Sequence, residues 1–335
     1  MRYVELPYAS QVRELPFYLA MEEYLAAGTL ADGSSISSDC FFMWQVEPTV
    51  IFGRNQDAYA EVDMEYCRSH GIRFYRRKSG GGCVYADMDN VMMSYITHTS
   101  TPVADTFSRY TSMVAEALRG LGLDATASGR NDIEVEGMKV SGNAFYHTPR
   151  AAIVHGTMLI DTNMTHMARA ITPSRAKLRA NGVASVPSRI TTLRRHTDIT
   201  IPHFLSYMKR TLCKEPPLLL GEADVEEIGR IARSYYSDSR IFGRRSQRPS
   251  VERRSHIDGA GQFHIQLNID ADNRIEYVNL GGDFFLLADM DSMLLRPLSG
   301  VDYSRDSIGS ALEGVDTARV IRGLQTNDFI NLIIP

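Results

Sequence analysis

Apolar residues recur at helical spacing over residues 15–27 (LPFYLAMEEYLAA), and Gly28 follows directly. Because glycine commonly ends a helix, this pattern predicts a core-packed helix that stops at Gly28. Short β-rich runs, FFMWQV and TVIFG, begin at Cys40 and are separated by the turn-forming Glu47-Pro48. They predict a hairpin or two adjacent strands.

The middle of the chain alternates between helical and extended patterns. Helices are predicted over 61–70 and 105–121, and strands over 74–77, 91–98, 132–135, 138–147 and 151–160. This order is neither strict βαβ alternation nor all-β. We therefore predict an α+β fold, with a mixed, largely antiparallel sheet and helices packed on it.

An arginine-rich segment divides the chain. Residues 240–254 (RIFGRRSQRPSVERR) hold six arginines, a glycine and a proline, and new strand patterns, QFHIQLNI and RIEYVNL, follow. Exposed like charges commonly mark flexible connections, so we interpret this segment as a solvated linker, with attraction for an acidic partner domain as the alternative. The 335-residue length also suggests about two domains. We predict a large domain over 1–247 and a small α+β domain over 248–335.

Composition excludes some classes of partner. The net charge of −4, with 44% hydrophobic and 23% charged residues, gives no global attraction to nucleic acid or to an anionic membrane. The four cysteines, Cys40, Cys67, Cys83 and Cys213, have no metal-binding spacing and are expected to be free thiols. Charged residues interrupt the N-terminal region where a signal peptide would be apolar. We expect a cytoplasmic protein.

The most unusual segment is RRKSGGGCVY, residues 76–85. Three consecutive glycines at 80–82 allow positive φ and close backbone approach, so several N–H groups can converge on an anion or a carboxyl group. The cationic run at 76–78 adds positive charge. A glycine-rich β-turn is the structural alternative. The segment contains neither GxxxxGK[ST] nor GxGxxG, which argues against a P-loop and a dinucleotide fingerprint.

Two further polar clusters adjoin predicted strands. They are SGRND at 128–132 and KVSGN at 139–143. Because alternate residues share one face of a strand, Lys139, Ser141 and Asn143 are predicted to point the same way and to line one pocket. A lysine among apolar strand residues is by itself more often an edge or surface residue.

Together these motifs form a recognisable set. RRxSGGGxVY, SGRNDI, KVSGNA, HGTMLI and KLRANGVASVPSRITTL occur in this order between residues 76 and 193. The set closely resembles the lipoate-protein ligase A family of the biotin and lipoate ligase superfamily, over roughly residues 20–195. The resemblance continues more faintly to GGDF at 281–284, which resembles the accessory domain of the long ligases. It implies an α+β catalytic domain with a small accessory domain.

The resemblance also implies roles for individual residues. Those that would contact the acid or its adenylate are Arg77, Ser79, Gly80, Gly81, Gly82, Val84, Ser141 and His155. Asn131 and Asp132 would face nucleotide phosphate, with Asp132 as a ligand of Mg²⁺. Lys139 is the central residue, because its ammonium would bridge the acid's carboxylate and the ATP α-phosphate and stabilise charge as pyrophosphate leaves.

The activity implied is ATP-dependent ligation of lipoate or octanoate to a specific lysine through a lipoyl-AMP intermediate, with Mg²⁺. The acceptors implied are lipoyl domains of 2-oxoacid dehydrogenase complexes and the glycine-cleavage carrier protein. One position departs from the family pattern: a histidine usually precedes the aspartate where this chain has Ala86-Asp87. This departure leaves the preferred acid open.

Three other functions fit parts of the pattern. A carrier-dependent octanoyl or lipoyl transferase would use a cysteine thioester without ATP, and Cys83 is the thiol beside a motif, although such a cysteine is more often a packing residue. A biotin-protein ligase would share the adenylate chemistry but carry a different arginine-glycine loop. A non-catalytic binding module would keep the fold without turnover.

Overall fold

The computed structural model describes residues 1–8, 11–98, 103–128, 131–148, 150–171, 189–237, 241 and 249–334. The strands are β1 Arg2–Glu5, β2 Cys40–Trp44, β3 Thr49–Phe52, β4 Arg73–Arg76, β5 Val84–Ala86, β6 Asn90–Thr97, β7 Ala125–Ala127, β8 Asp132–Val135, β9 Met138–His147, β10 Ala152–Leu159, β11 Glu215–Leu219, β12 Val251–Ile257, β13 Gly261–Ile269 and β14 Ile275–Phe284. The α-helices are α1 Leu15–Ala26, α2 Ala58–Glu61, α3 Met64–Ser69, α4 Val103–Arg119, α5 Met164–Ala170, α6 Ile201–Leu212, α7 Glu222–Ala232, α8 Arg305–Ala311 and α9 Thr326–Ile333.

The main sheet has eight strands in the order β11-β1-β2-β6-β10-β9-β8-β7. β1 pairs in parallel with β2 and β11, and the pairs from β2 through β6, β10, β9, β8 and β7 are antiparallel. Every residue of the central strands β6 and β10 is buried, since helices cover both faces of the sheet. The predicted α+β fold with a mixed, largely antiparallel sheet is confirmed.

The strands predicted on either side of Glu47-Pro48 do not pair with each other. β2 joins the main sheet, whereas β3 forms a separate three-stranded sheet with β4 and β5, in parallel and antiparallel pairs respectively. The expectation of a hairpin or adjacent strands is therefore wrong. The local pattern predicts that each segment is extended, but the partner of each strand is set by contacts distant in sequence. The small sheet carries the triglycine segment between β4 and β5.

The predicted first helix is confirmed as α1, which is buried almost all round its circumference. It packs against α7 on one side and against β6 and β10 on another. Gly28 follows it with φ +79°, a left-handed conformation that glycine adopts at low cost. Within the ranges described, no helix is both long and apolar enough to cross a membrane.

A separate hydrophobic core lies in the C-terminal part of the chain. β12, β13 and β14 form an antiparallel sheet whose inward residues Phe263, Ile265 and Leu267 are buried. Helices α8 and α9 contribute to the same core. Residue 248, where the domain boundary is predicted, lies outside the described residues together with most of the arginine-rich segment, so that division stays a prediction. The GGDF motif lies within β14 rather than after a strand.

The end of β14 contacts the triglycine segment and Asn55, which follows β3, through backbone atoms. The N–H of Gly81 donates to the carbonyl of Phe284 over 3.1 Å, and the N–H of Gly282 donates to the carbonyl of Asn55. A Cβ on Gly80 would collide with the Phe284 carbonyl, and a Cβ on Gly281 would lie 2.8 Å from the Asn55 oxygen. We call this contact the glycine seam; it leaves no room for a side chain.

The glycine seam generates a testable prediction. Gly281→Ala should push β14 away from residue 55, because a real Cβ cannot lie 2.8 Å from a backbone oxygen. Loss of the two backbone hydrogen bonds removes about 1 kcal/mol each. Hydrogen exchange followed by mass spectrometry should show faster exchange in peptides that contain Gly81 and Gly282.

Gly309→Ala is the matched control, since that glycine lies in α8 with open space around its Cβ position. It should leave exchange in those peptides unchanged. Equal exchange in the wild type and in the Gly281→Ala variant would contradict the prediction.

Candidate active site

The triglycine segment, Gly80–Gly82, is held in place by a buried arginine. Arg77 donates through Nε to the Ser79 hydroxyl (2.9 Å) and through Nη2 to the carbonyls of Gly80 (2.6 Å) and Gly82 (2.8 Å). Its Nη1 donates to the carbonyl of Ile51 on β3, 2.9 Å away. Burial lowers the pKa of Arg77 to about 10, so the guanidinium remains charged at neutral pH. Arg77 therefore sets the shape of the loop.

The other two cations of the 76–78 run also have structural partners. Arg76 donates to the carbonyls of Gly53, Arg54 and Gln56. Lys78 pairs with Glu23 on α1, and Glu23 also accepts from the hydroxyl of Tyr235. The positive charge expected to serve a ligand here is thus used mainly to fix backbone carbonyls and to tie the loop to α1.

A second contact joins α1 to the loop through a buried histidine. His155 on β10 lies between Ser79, with Oγ 2.7 Å from Nε2, and Glu22 of α1, with Oε2 2.9 Å from Nδ1. Glu22 is fully buried and His155 is nearly so. Glu22 is a site residue that sequence reasoning missed. The available signal was a pair of adjacent glutamates within an otherwise apolar helix.

A charge cluster lies beside the loop and consists of Asp132, Lys139 and Arg189. Oδ1 of Asp132 is 2.7 Å from the Lys139 amine, and its Oδ2 accepts from the Arg189 guanidinium. Asp132 is almost fully buried, whereas both cations are partly exposed. Two cations share one carboxylate, so the cluster carries a net positive charge and can attract phosphate. Arg189 lies in the family-like motif at 177–193, but its role was not predicted.

A β-bulge decides where Lys139 points. The β8–β9 register shifts between Ile133 and Glu134, so that Ser141 pairs with Ile133 but Lys139 pairs with Glu134. The Lys139 amine consequently lies on the Cβ side of Gly142. Ser141 and Asn143 instead hydrogen-bond to each other over 3.2 Å. The expectation that Lys139 points the same way as Ser141 and Asn143 is wrong, because a bulge reverses the alternation of a strand. Lys139 and Asn143 nevertheless line one pocket, as predicted, whereas Ser141 does not.

These elements surround one pocket of about 300 Å³. Part of its wall is apolar and includes Leu19, Trp44, Ile51, Met92, Leu159, Met167 and Ile171. Other wall residues come from the C-terminal sheet and the segment after it, including His256, Gln262, Asp283 and Phe285. The ring of Phe285 stacks on Phe145 with centroids 5.5 Å apart. The pocket therefore lies between the two parts of the chain.

Most of the predicted site residues reach this pocket. Those that line it are Arg77, Gly81, Gly82, Val84, Asn131, Asp132, Lys139 and His155. Ser79 is buried behind the wall and contacts it through Arg77 and His155. Gly80 is buried against Phe284 in the glycine seam. Ser141 is buried beside Asn143 and supports that side chain. The cationic residue and the glycine loop thus converge on the same cavity.

The four thiols differ in their surroundings. None of the four forms a disulfide, and of the four only Cys83 lines the pocket. Burial raises the pKa of Cys40 to about 12 and that of Cys67 and Cys213 to about 11 each. These three thiols are therefore almost entirely protonated at neutral pH and are poor nucleophiles.

Comparison with known proteins places this geometry in a family. A model described as the lipoyl protein ligase A/B catalytic domain matches residues 15–213, and one described as the bacterial lipoate protein ligase C-terminus matches residues 246–333. The chain belongs to the lipoate-protein ligase family. As a member of that family it is an enzyme of the ligase class.

Relatives of the lipoate-protein ligase family match most of the chain. Lipoate-protein ligase LplJ of Bacillus subtilis (strain 168) is 31% identical over 296 residues, which cover 86% of this chain and 88% of that protein. The structure of P. falciparum LipL1 in complex with lipoate has a TM-score of 0.74 at 16% identity, covering 98% and 97% of the two chains. Lipoate-protein ligase A bound with ATP has a TM-score of 0.59 at 21% identity, covering 72% of this chain and 98% of the other. Both solved structures have the same fold as this chain.

The residue that departs from the ligase pattern, Ala86, does not line the pocket. Ala86 is the last residue of β5 and is fully buried in the hydrophobic core. Its neighbour Asp87 accepts from the backbone N–H groups of Asp89 and Asn163, and burial raises the pKa of Asp87. In this ligase Ala86 therefore packs in the hydrophobic core, and Asp87 connects the end of β5 to Asn163 at the start of α5.

The surroundings of the thiols predict selective alkylation in this ligase. At pH 7.5, iodoacetamide should modify Cys83 faster than the three thiols whose pKa values are raised by burial. Lipoate with ATP should slow the reaction at Cys83 because that thiol lines the pocket. Peptide mass spectrometry against time measures both effects. Faster alkylation of Cys213 than of Cys83, or no protection by ligands, would contradict the assignment.

Proposed function

We propose that this enzyme uses ATP to convert lipoate, or octanoate, into an acyl-adenylate and then transfers the acyl group to a lysine of an acceptor protein. The observation that carries the proposal is the convergence of Lys139, two glycines of the loop (Gly81 and Gly82) and an apolar wall on one pocket. A fatty-acid-like substrate needs all three, because its carbon chain requires burial and its carboxylate requires a cation and N–H donors.

The backbone of the loop supplies a donor for the acyl-adenylate. The Gly82 N–H makes no hydrogen bond to any residue in the described ranges, and Gly82 lines the pocket. The Gly81 N–H is engaged by Phe284 across the glycine seam. The Gly81 carbonyl, which shares a planar peptide with the Gly82 N–H, lies against Gly53, so the Gly82 N–H points away from Gly53. A preorganised donor of this kind stabilises developing negative charge.

Activation is the first step. The carboxylate oxygen of the acid attacks the α-phosphorus of ATP, the bond to the β-phosphate oxygen breaks, and pyrophosphate leaves. Lys139 lies where its amine can exchange Asp132 for the two approaching anions and reduce their repulsion. Arg189 stays paired with Asp132, so the carboxylate keeps a partner while Lys139 moves.

Transfer is the second step. The neutral ε-amine of the acceptor lysine attacks the acyl carbonyl, the amide bond forms, and AMP departs with the electrons of the acyl–oxygen bond. The mixed anhydride is prone to hydrolysis, so it needs a pocket that excludes water. Burial by the apolar wall and by Phe285 provides this protection.

Asp132 fits Mg²⁺, which this chemistry requires. Its buried Oδ1 makes no hydrogen bond of good geometry within the described ranges, and its contact with Lys139 is an ion pair alone. Mg²⁺ usually takes one or two carboxylates, with phosphate oxygens and water filling its other positions. When bound, the ion would neutralise phosphate charge, while Asp132 orients the charge cluster through Arg189.

The acceptors we propose are lipoyl domains of 2-oxoacid dehydrogenase complexes and the glycine-cleavage carrier protein. Family membership supports this choice, since these are the proteins in which such ligases are expected to modify a lysine. We also propose a cytoplasmic location, which the four free thiols support because thiols stay reduced there.

Lipoate-dependent exchange of pyrophosphate into ATP tests the proposed function directly. The purified enzyme should catalyse this exchange with lipoate and Mg²⁺, and should then add one lipoyl group to a purified lipoyl domain, measured by intact-protein mass spectrometry. A lipoyl domain with its acceptor lysine changed to arginine is the control and should gain no mass. Exchange with biotin alone, or an acyl-Cys83 adduct formed without ATP, would overturn the proposal in favour of a rival.

Replacement of Lys139 tests its role in activation. Lys139→Ala should lower the rate of lipoate-dependent exchange by on the order of 10² to 10³-fold, by analogy with loss of one preorganised donor. Lys214→Ala is the control, because that amine lies on the surface, donates to the Arg210 carbonyl and does not line the pocket. Exchange at a near-normal rate in Lys139→Ala would contradict the assignment.

A further inference from the structure

Glu22 is an ionisable side chain that the proposed mechanism does not use. It is fully buried within α1, and it does not belong to the pocket wall. Burial of a carboxylate is costly unless several donors satisfy it. Its described partners are His155 and the hydroxyl of Ser94, which donates to Oε1 over 2.6 Å. A carboxylate that is buried at this cost is expected to stabilise either the fold or the pocket.

The hydrogen bonds from the loop to Glu22 all run in one direction. Arg77 has only donors, so Ser79 Oγ must accept from it. The two oxygens of Glu22 lie 2.9 and 3.0 Å from Nδ1 of His155, and because a carboxylate can only accept, we assign the ring proton to Nδ1. With this assignment Nε2 accepts the single hydroxyl proton of Ser79, whose Oγ is 2.7 Å away. Each donor in this chain fixes the orientation of the next.

A second series of hydrogen bonds, here also called a donor chain, ends on the carboxylate of Glu22. The indole Nε1 of Trp44 donates to Ser94 Oγ over 3.0 Å, and Ser94 donates in turn to Glu22. Trp44 lines the apolar wall and stacks on Tyr18 with centroids 4.7 Å apart. Glu22 is thus the final acceptor of one chain from the glycine loop and of another from the apolar wall.

The order Ser79, His155 and Glu22 resembles the order of a nucleophilic triad, but the geometry excludes that use. Ser79 is fully buried and does not line the pocket, so no substrate carbonyl can approach its oxygen. A lone pair of that oxygen is also occupied by Arg77. The arrangement shares the logic of a triad only in that the carboxylate selects the tautomer of the imidazole.

We propose that Glu22 is a positioning residue for the activation step, which holds the glycine loop and Trp44 in the geometry that binds the acid. It does so by keeping the proton of His155 on Nδ1, which leaves Nε2 free to accept from Ser79. This inference rests on the proposed function and adds a positioning residue to the proposed activation step. The charge cluster of Asp132, Lys139 and Arg189 is separate from both donor chains.

Glu22→Gln tests the inference because it keeps the shape of the side chain but supplies only one accepting oxygen. The amide NH₂ must face either Ser94 or His155, so one donor chain reverses or breaks. The KM for lipoate in the exchange reaction should rise by about 10- to 100-fold, the range expected for loss of a hydrogen bond to a charged group. The kcat should stay near the wild-type value, since the charge cluster is untouched.

Asp224→Asn is the matched control. Asp224 is also a buried carboxylate, and it accepts from the hydroxyl of Tyr24 and from the N–H groups of Ala31 and Gly221. Its replacement should lower the melting temperature and leave the KM for lipoate unchanged. Equal changes of KM in the two variants would show that Glu22 is merely structural and would overturn the proposal.

A double-mutant cycle tests whether Glu22 acts through Ser79. Ser79→Ala interrupts the chain from the loop, so adding Glu22→Gln should raise the KM less than it does in the wild-type background. The same fold-change in both backgrounds would overturn the proposed route. Wild-type exchange with lipoate is the separate test of function: its absence refutes the ligase assignment, whereas normal exchange with an unchanged KM in Glu22→Gln refutes only the role of Glu22.

The tautomer can be measured without any substitution at Glu22, which guards against a variant that fails to fold. Ring ¹⁵N chemical shifts of His155, assigned by comparison with His155→Asn, should show a protonated Nδ1 and an unprotonated Nε2 at neutral pH. A proton on Nε2, in either the neutral or the doubly protonated ring, would contradict the proposed direction of the hydrogen bonds.

Discussion

The guanidinium of Arg77 is the constraint on which the pocket depends. It is buried, and all but one of its N–H groups are given to Ser79 and to carbonyls of Ile51, Gly80 and Gly82. A loop of three glycines has no preferred conformation of its own, because glycine loses more conformational freedom on folding than any other residue. The hydrogen bonds of Arg77 supply the favourable enthalpy that selects one conformation of the loop. Glu22 of α1 contacts His155, which contacts Ser79, the partner of Arg77, so α1 also helps to position the arginine.

The elements of the fold could be predicted because their periodicity is local. Helices α1 and α4 and strands β8, β9 and β10 carry apolar residues at the spacing of their own geometry. The pairing of β2 and β3 could not be predicted in this way. β2 pairs with β6, and β3 pairs with β4 and β5, so the deciding contacts lie outside any short window of sequence.

The same distinction applies to the candidate site. Lys139 and the glycine loop were identified from their motifs, and they reach one pocket. The face on which Lys139 lies depends on a β-bulge, which leaves no composition signal. Glu22 was missed for a related reason: whether a helical glutamate faces water or a buried histidine depends on tertiary packing. Sequence motifs therefore indicated the residue types better than the hydrogen bonds that orient them.

The close backbone packing at the glycine seam, and of Gly53 against the same loop, has a consequence for how substitutions at this site should be interpreted. Cβ atoms are excluded at Gly53 by the carbonyl of Gly81, and at Gly80 by the carbonyl of Phe284. Both exclusions arise from neighbouring backbone and would operate in a chain that bound no ligand at all. Loss of activity in Gly53→Ala or Gly80→Ala would therefore indicate that the backbone segments around residues 53, 80–81 and 284 no longer pack together. It should not be counted as a catalytic defect unless the structure of the variant has been measured.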